Sequence, residues 1–469
     1  MQSLTDIKNI FLLGIGGIGM SALARYFKAS GRVVCGYDKT PTELTAELQS
    51  EGIEIHFEDD VKFLPDFLSG KGMNPEALII YTPAIPRDHS EYNHLINCGY
   101  KMWKRSEVLG LITNEATTIA VAGTHGKTTT STMVAHILKH SGIDCTAFLG
   151  GISKNYNTNL LLSKNASGKN EVIVVEADEF DRSFLTLYPD IAIITSMDAD
   201  HLDIYGDHKA MISSYREFAL QVNENGTLIY KAGLPLDDIN KITQTYSLDS
   251  SSDYVAQNIR IENSNYIFDV QHGEHVYKNF KLTWPGRHNV ENATGAAAAC
   301  MAFGLAPDSI RKALESFEGV KRRFDYQIRS EAITMIDDYA HHPEELKAAI
   351  LSVKELYKGK KILGIFQPHL YTRTRDFADG FGSSLSLLDE LILLDIYPAR
   401  ELPIAGVTSE MILEKVSIAK KQVSSKALLV ENVLLSDAAV VLTLGAGDID
   451  QLVQPIKNSL ERKYFKQPA

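Results

Sequence analysis

The sequence predicts an α/β protein of three domains, each organised around a largely parallel sheet. Three observations carry that expectation. The chain has 469 residues, room for about three domains at roughly 150 residues each. Short apolar runs alternate with helical stretches at strand–helix–strand spacing along most of the chain. Two strand-to-helix turns are glycine-rich in the manner of turns that hold phosphates at helix N-termini.

The elements follow in order. A strand at 10–13, a glycine turn, a helix through 22–27 and a second strand at 33–37 ending at Asp38 make one βαβ unit. Another apolar run, 77–81, precedes Thr82-Pro83. A strand at 117–122 enters GTHGKTTT and a helix at 130–140, so a domain begins just before it. Strands continue at 171–175, 191–196 and 227–230. Residues 243–284 then alternate apolar and polar, with Asn-Ser-Asn at 263–265, which reads as antiparallel hairpins appended to a parallel sheet. An alanine-rich helix at 290–303 follows Pro285-Gly286. After Lys321-Arg322-Arg323 come strands at 333–336, 361–366, 390–395 and 439–444. The expected domains are 1–113, 114–320 and 321–469.

Composition narrows the class. With 44% hydrophobic and 23% charged residues, the chain is an ordinary globular one, not disordered, collagenous or coiled-coil. Its net charge of -12, from 59 acidic against 47 basic residues, argues against nucleic-acid or anionic-membrane binding as a habit. Four cysteines without CxxC spacing suggest neither zinc nor a disulfide framework. No cleavage site follows the first apolar run, and no run reaches membrane-spanning length. A soluble cytoplasmic protein is expected, a monomer or weak homodimer.

Four segments carry chemistry. Gly14, Gly16 and Gly19 satisfy G-x-G-x-x-G, with Asp38 ending the next strand. Glycines at this spacing admit a diphosphate to the backbone. The turn does not name its ligand: a nicotinamide cofactor is one option, and a tight turn with no ligand is another reading. The second turn, Gly123-Thr124-His125-Gly126-Lys127-Thr128, is shorter than a strict P-loop, whose first glycine would fall at Val121. Its logic survives: Lys127 reaches β and γ phosphates and Thr128 can ligate magnesium. It reads as an ATP site.

Third, Glu176, Asp178 and Glu179 end one strand, and Asp198, Asp200, His201 and Asp203 end the next. Glu176 is a candidate partner to Thr128 on magnesium; His201 either ligates a second metal or caps a turn. Fourth, His288, Asn289 and Asn292 open a helix, as contacts or as caps, and Arg323 is either a site residue or a linker charge. Two late strand ends carry Asp338-Tyr339-Ala340-His341-His342-Pro343 and His369-Leu370-Tyr371-Thr372-Arg373. Arginine suits a carboxylate, with Tyr or His near an amine, so this crevice suits a small zwitterion. The paired histidines lack a third zinc ligand at suitable spacing, and Pro343 fits a helix start.

GIGGIGMSALA, AGTHGKTTT, EADEFDRSF, DADHLD, GRHNVENA, KRRFD, DDYAHHP and FQPHLYTRTRD occur in one order across nearly the whole chain. Together they resemble the Mur ligase family. The resemblance implies an N-terminal Rossmann-like domain for the UDP part of a sugar nucleotide, a central P-loop ATPase-type domain whose mostly parallel sheet has a small antiparallel part, and a C-terminal Rossmann-like domain for an amino acid. It implies a reaction of peptidoglycan precursor synthesis: ATP phosphorylates the lactyl carboxylate of UDP-N-acetylmuramate, and the amine of L-alanine attacks the acyl phosphate, releasing ADP and phosphate.

The resemblance also assigns residues. Lys127, Glu176, His201 and Arg323 match catalytic positions. Gly123, Thr124, His125, Gly126, Lys127, Thr128, Thr129, Asn289, Asn292, Arg323 and Asp338 match ATP-binding ones, with Asn289 and Asn292 flanking the adenine. Thr128, Glu176 and His201 would hold one or two Mg2+ ions. Gly14, Gly16, Gly17, Ile18, Gly19, Asp38, Thr82 and Arg105 would hold the UDP-sugar, and Tyr339, His341, His369 and Arg373 the alanine. This chain departs from its relatives at three places. The slot of a carbamoylated lysine falls near Arg216, with Lys209 too early, so no lysine carbamate is expected. Leu370 stands where many relatives have arginine, which moves the expected carboxylate contact to Arg373. Phe180 replaces a serine, so no hydroxyl contact carries over there.

Rival readings fit less well. A ligase that adds a ready-made peptide to the same sugar nucleotide, or one taking a D-amino acid or a diamino acid, is disfavoured by GIGGIGMSALA and DDYAHHP. An NAD-dependent oxidoreductase leaves Lys127 and the late His and Arg residues unexplained. A P-loop mechanoenzyme needs no nucleotide-type domain ahead of its loop.

Overall fold

The computed structural model describes residues 4–69, 72–114, 116–164, 171–248, 251–399 and 401–465. Three sheets organise them. The first has five parallel strands in the order Glu54–His56, Val33–Tyr37, Asn9–Leu13, Ala77–Tyr81, Met102–Lys104. Ile10, Phe11, Leu12 and Leu13 are all fully buried, as a strand covered on both faces requires. Strand order reverses at Asn9–Leu13, so the glycine turn leaves the sheet at its switch point, where such sheets bind ligands.

The second sheet runs His275–Leu282, Asn265–His272, Tyr254–Glu262, Ile242–Ser247, Thr227–Lys231, Ile191–Ile194, Thr117–Ala122, Val172–Glu176, Cys145–Ser153, Thr158–Leu161. The expected hairpins begin later than their alternation suggests. Ile242–Ser247 pairs in parallel with Thr227–Lys231, and Tyr246 in parallel with Tyr254. Alternation marks a half-solvated strand and says nothing about its partner's direction. Two-residue turns come at Asn263 and Ser264, with φ of 51° and 60°, and at Gly273 and Glu274, with Gly273 at φ 57°. The third sheet runs Asp325–Arg329, Thr334–Asp338, Val440–Leu444, Ile362–Phe366, Glu390–Leu393, Lys420–Val423. Its first pair is antiparallel and the others are parallel.

Two helices start earlier than their apolar periodicity shows. One spans Ile18–Ala29 and another Lys127–His140, because both begin inside the glycine turn itself. The alanine-rich helix is Arg287–Ala302. Pro343 opens the helix Pro343–Leu356, capped by His342.

The described chain forms two compact units. One holds residues up to 258 with 268–280 and 291–318; the other holds 259–267, 281–290 and residues from 319 onward. In the first unit, apolar residues of the first sheet's domain and of the central sheet merge: Met20, Leu23, Phe27 and Leu109 belong to one buried cluster with Phe148 and Leu160. Polar contacts sew the same seam, Arg25 donating to Asn159 Oδ1 (2.6 Å) and Asn159 Nδ2 to the Ile18 carbonyl (2.7 Å). No described helix is long and apolar enough to cross a membrane.

His136, on the helix after the second glycine turn, is a buried neutral imidazole. Its Nε2 lies 3.0 Å from the Ala313 carbonyl, which can only accept, so the Tyr156 hydroxyl at 3.0 Å donates to Nδ1. Burial pulls its pKa from 6.5 down to about 4, with His140 adding to the fall. Below pH 6.5 the unfolded chain therefore binds a proton that the folded chain refuses. The imidazole's contribution, about 3 kcal/mol, is present above pH 6.5 and is lost as the pH falls toward about 4. Melting temperature measured from pH 7 to pH 4.5 should fall less steeply for His136→Gln than for the native chain.

Candidate active site

Strand Thr117–Ala122 delivers the second glycine turn to the carboxyl edge of the central sheet. Gly126 closes the turn at φ 82°, and a Cβ there would lie 2.6 Å from Asn292 Oδ1, so glycine is required by conformation and by space. The next strand's end staples the loop. Thr195 donates its hydroxyl to the Ala122 carbonyl (3.1 Å) and to that of His125, and the His125 amide donates to Ser196 Oγ (2.8 Å). Thr124 donates to the Asp198 carbonyl (2.8 Å). Thr195 and Ser196 were not singled out from the sequence; their place at a carboxyl strand end was the available signal.

Lys127 occupies the first turn of the helix that follows. Its ammonium donates to the Gly123 carbonyl (2.7 Å), to that of Thr124 (3.3 Å) and to Glu179, at 2.9 Å from Oε1 and 2.8 Å from Oε2. The Glu179 side chain is 1% exposed. Burial works against the Lys127 charge, but Glu179, Asp178 and Glu176 outweigh it and raise its pKa. Burial raises the Glu179 pKa, and Lys127 pulls against that rise.

Glu176 ends strand Val172–Glu176, and its carboxylate lies over Gly150. Thr128 is 7% exposed at the helix start. His201, at φ 50°, places Nε2 4.0 Å from Glu179 and 3.7 Å from Asp200. Phe180 sets its ring edge-on to His201 (5.3 Å). The Asp203 side chain lies outside those described. At the expected carbamate slot, Arg216 makes a two-pronged pair with Asp238 (2.7 Å each). Among the described residues no group of three or more His, Cys, Asp or Glu forms a metal cage. Thr128 and Glu176 instead offer few, hard oxygen donors, which fits an ion that takes its remaining ligands from phosphate and water.

At the first glycine turn, Gly14, Gly16, Gly17, Ile18, Gly19, Asp38, Thr82 and Arg105 come together in the first unit. Gly14 packs on the Thr82 methyl. Asp38 accepts from the Gly16 amide (2.7 Å) and the Thr40 amide (3.1 Å), and so locks the loop. Gly19 makes room for a guanidinium, since a Cβ there would lie 2.0 Å from Arg105 Nη1. Arg105 in turn donates to Asp178 (3.1 Å). A cavity of about 200 Å³ results, lined by Ile18, Gly19, Arg105, Gly150, Glu176 and Asp178 among others. The first glycine turn and Glu176 thus share one space.

The second unit gathers the rest. Asp338 ends its strand buried and accepts from the Phe324 (2.7 Å) and Ala340 (2.8 Å) amides. Burial pushes its carboxyl up to about 6 against the pull of Arg323. It clamps the Arg322–Phe324 turn. Arg323 lies over the Tyr339 ring (5.0 Å) and 3.8 Å from Glu345. His341 Nδ1 is 2.9 Å from the Tyr339 carbonyl, and its ring is 6.1 Å from that of His369. Arg373, 7% exposed, reaches His369 Nδ1 at 3.5 Å. Asn289 donates to the Pro285 carbonyl (2.6 Å), and burial pulls its neighbour His288 down to about 4. Two participants were missed. Tyr397 stacks on His369 (5.7 Å) and accepts the Leu370 amide (2.9 Å), and Glu401 accepts the Thr372 amide (2.9 Å). Leu370 itself sits at φ 69°, a costly conformation for a branched side chain.

Three family models match in the expected order: Mur ligase family, catalytic domain, at residues 9–117; Mur ligase middle domain at 121–300; and Mur ligase, glutamate ligase domain, at 322–447. The UDP-N-acetylmuramate--L-alanine ligase of Flavobacterium psychrophilum is 53% identical over 463 residues, 98% of this chain and 100% of that one. The crystal structure of UDP-N-acetylmuramate-alanine ligase MurC from Thermotoga maritima superposes with a TM-score of 0.80 at 28% identity, covering 97% of this chain and 99% of that chain. A murein peptide ligase, Mpl, from Psychrobacter arcticus shares the fold at a TM-score of 0.69 and 24% identity, over 97% of this chain and 98% of its own. The chain belongs to the Mur ligase family.

Proposed function

We propose that this chain joins L-alanine to the lactyl carboxylate of UDP-N-acetylmuramate at the expense of ATP, through an acyl phosphate, in peptidoglycan precursor synthesis. The observation that carries the reading is the shared cavity of the first unit. There Gly19 of the first glycine turn, and Arg105 packed against it, line one cavity with Glu176 and Asp178, two of the carboxylates that act on Lys127. A cavity bordered by the end of an anion-binding turn and by two of the three carboxylates that hold the phosphate-loop lysine charged suits the transfer of a phosphoryl group onto a substrate carboxylate.

A carboxylate is a poor electrophile, and phosphorylation makes it a good one. The protein therefore needs no nucleophile of its own. Its work is to hold two anions and a zwitterion in register, which can contribute about 7 to 11 kcal/mol to the barrier. The helix N-terminus at Lys127 and the loop amides stabilise charge on the moving phosphoryl group. Thr128, Glu176 and His201 would hold magnesium, which when bound neutralises phosphate charge. Arg105 sits beside the cavity as the cation nearest the sugar nucleotide. Arg373 takes the alanine carboxylate, with His369, His341 and Tyr339 around the amine. Residues 1–113, 114–320 and 321–469 then serve the sugar nucleotide, ATP and the amino acid in turn. Its four cysteines, all free thiols, suit a reducing cytoplasm.

Two measurements check this. Phosphate release should require UDP-N-acetylmuramate, L-alanine, ATP and magnesium together; release with a tripeptide but not with alanine would assign the peptide-adding reaction instead. Arg373→Lys should raise the alanine KM about tenfold or more, because a point-charge ammonium cannot reproduce a two-pronged contact. An unchanged KM would move the carboxylate contact elsewhere.

A further inference from the structure

We propose that Glu179 is the placeholder of the phosphate loop: it keeps Lys127 folded onto the loop until a nucleotide phosphate takes the ammonium from it. The proposal rests on the reading of this loop as the ATP site. Contacts to Gly123, Thr124 and Glu179 account for the three donors of the Lys127 ammonium. With all three donors engaged by the protein, the lysine must release one of these acceptors before it can meet a phosphate.

Three features make Glu179 the holder and Lys127 the moving part. The carboxylate is 1% exposed, whereas the lysine side chain is 14% exposed. The Glu179 backbone is pinned, its carbonyl accepting from the Tyr205 hydroxyl (2.6 Å) and the Arg182 amide (3.0 Å). Lys127 hangs on a long flexible stem at a helix start, where phosphates gather. A buried ion pair of this kind contributes little net stability, yet removing one partner strands the other charge. A phosphate offers the lysine an equivalent partner, so the exchange is cheap for Lys127. It leaves Glu179 facing His201, whose Nε2 lies 4.0 Å away. Glu179 is therefore a positioning residue that competes with the nucleotide for one ammonium.

The test is ADP binding, with magnesium, to the full chain by titration calorimetry. Binding by the native chain checks the ATP-site reading itself. Glu179→Gln keeps the shape and removes the competing charge. It should tighten ADP binding about five- to tenfold, the factor by which the folded-back lysine depletes the competent state, and lower the ATP KM in parallel. Glu179→Asp should restore affinity toward the native value. In a Lys127→Met background the Glu179→Gln effect should vanish. The same double variant should recover melting temperature lost in Lys127→Met alone, because the stranded carboxylate is gone. Weaker or unchanged ADP binding in Glu179→Gln, or an effect that persists without Lys127, would overturn the proposal. A crystal structure of the native ADP complex gives a check free of variants: Lys127 should have left Glu179, and a retained pair would refute the exchange.

Discussion

A lysine ammonium buried at the start of a helix must have anionic company, and much of the first unit's site follows from that need. The helix N-terminus already concentrates positive potential, and Lys127 adds a full charge to it. Three carboxylates, Glu176, Asp178 and Glu179, raise its pKa. The requirement then propagates. Asp178 also accepts from Arg105, whose guanidinium occupies the space that Gly19 leaves open. A glycine in the first domain's turn is thus tied through two charges to a lysine in the second.

The same chain of contacts resolves how a protein of net charge -12 can handle anionic substrates. Positive potential is built locally from loop amides, Lys127 and Arg105, and the surrounding acids hold those cations in place. The second unit repeats the device. Asp338 is consumed by backbone amides, which shapes the turn that presents Arg323 over Tyr339.

Much of this was legible in the sequence. The strands at 33–37, 77–81 and 117–122 lie where their apolar runs end, because a covered parallel strand is apolar on both faces and abruptly flanked by turns. Pro343 marks its helix start for an equally local reason. What stayed hidden depends on partners distant in the chain. Alternation at 242–255 could not reveal that the pairing there is parallel. The motif at 176–179 shows three acids, but only the packed structure shows that Glu179 holds the lysine. That Asp38 and Asp338 each also clamp backbone amides is visible only in the packed structure. Tyr397 stacks on His369 from a loop that carries no motif of its own.

The central claim is that the site phosphorylates a substrate carboxylate, and the fate of its oxygen tests that most directly. UDP-N-acetylmuramate labelled with 18O in the lactyl carboxylate, turned over with ATP and L-alanine, should deliver one label to inorganic phosphate, read by mass spectrometry. Label in AMP, or phosphate without label, would contradict an acyl phosphate and with it the assignment of Lys127 and its acids.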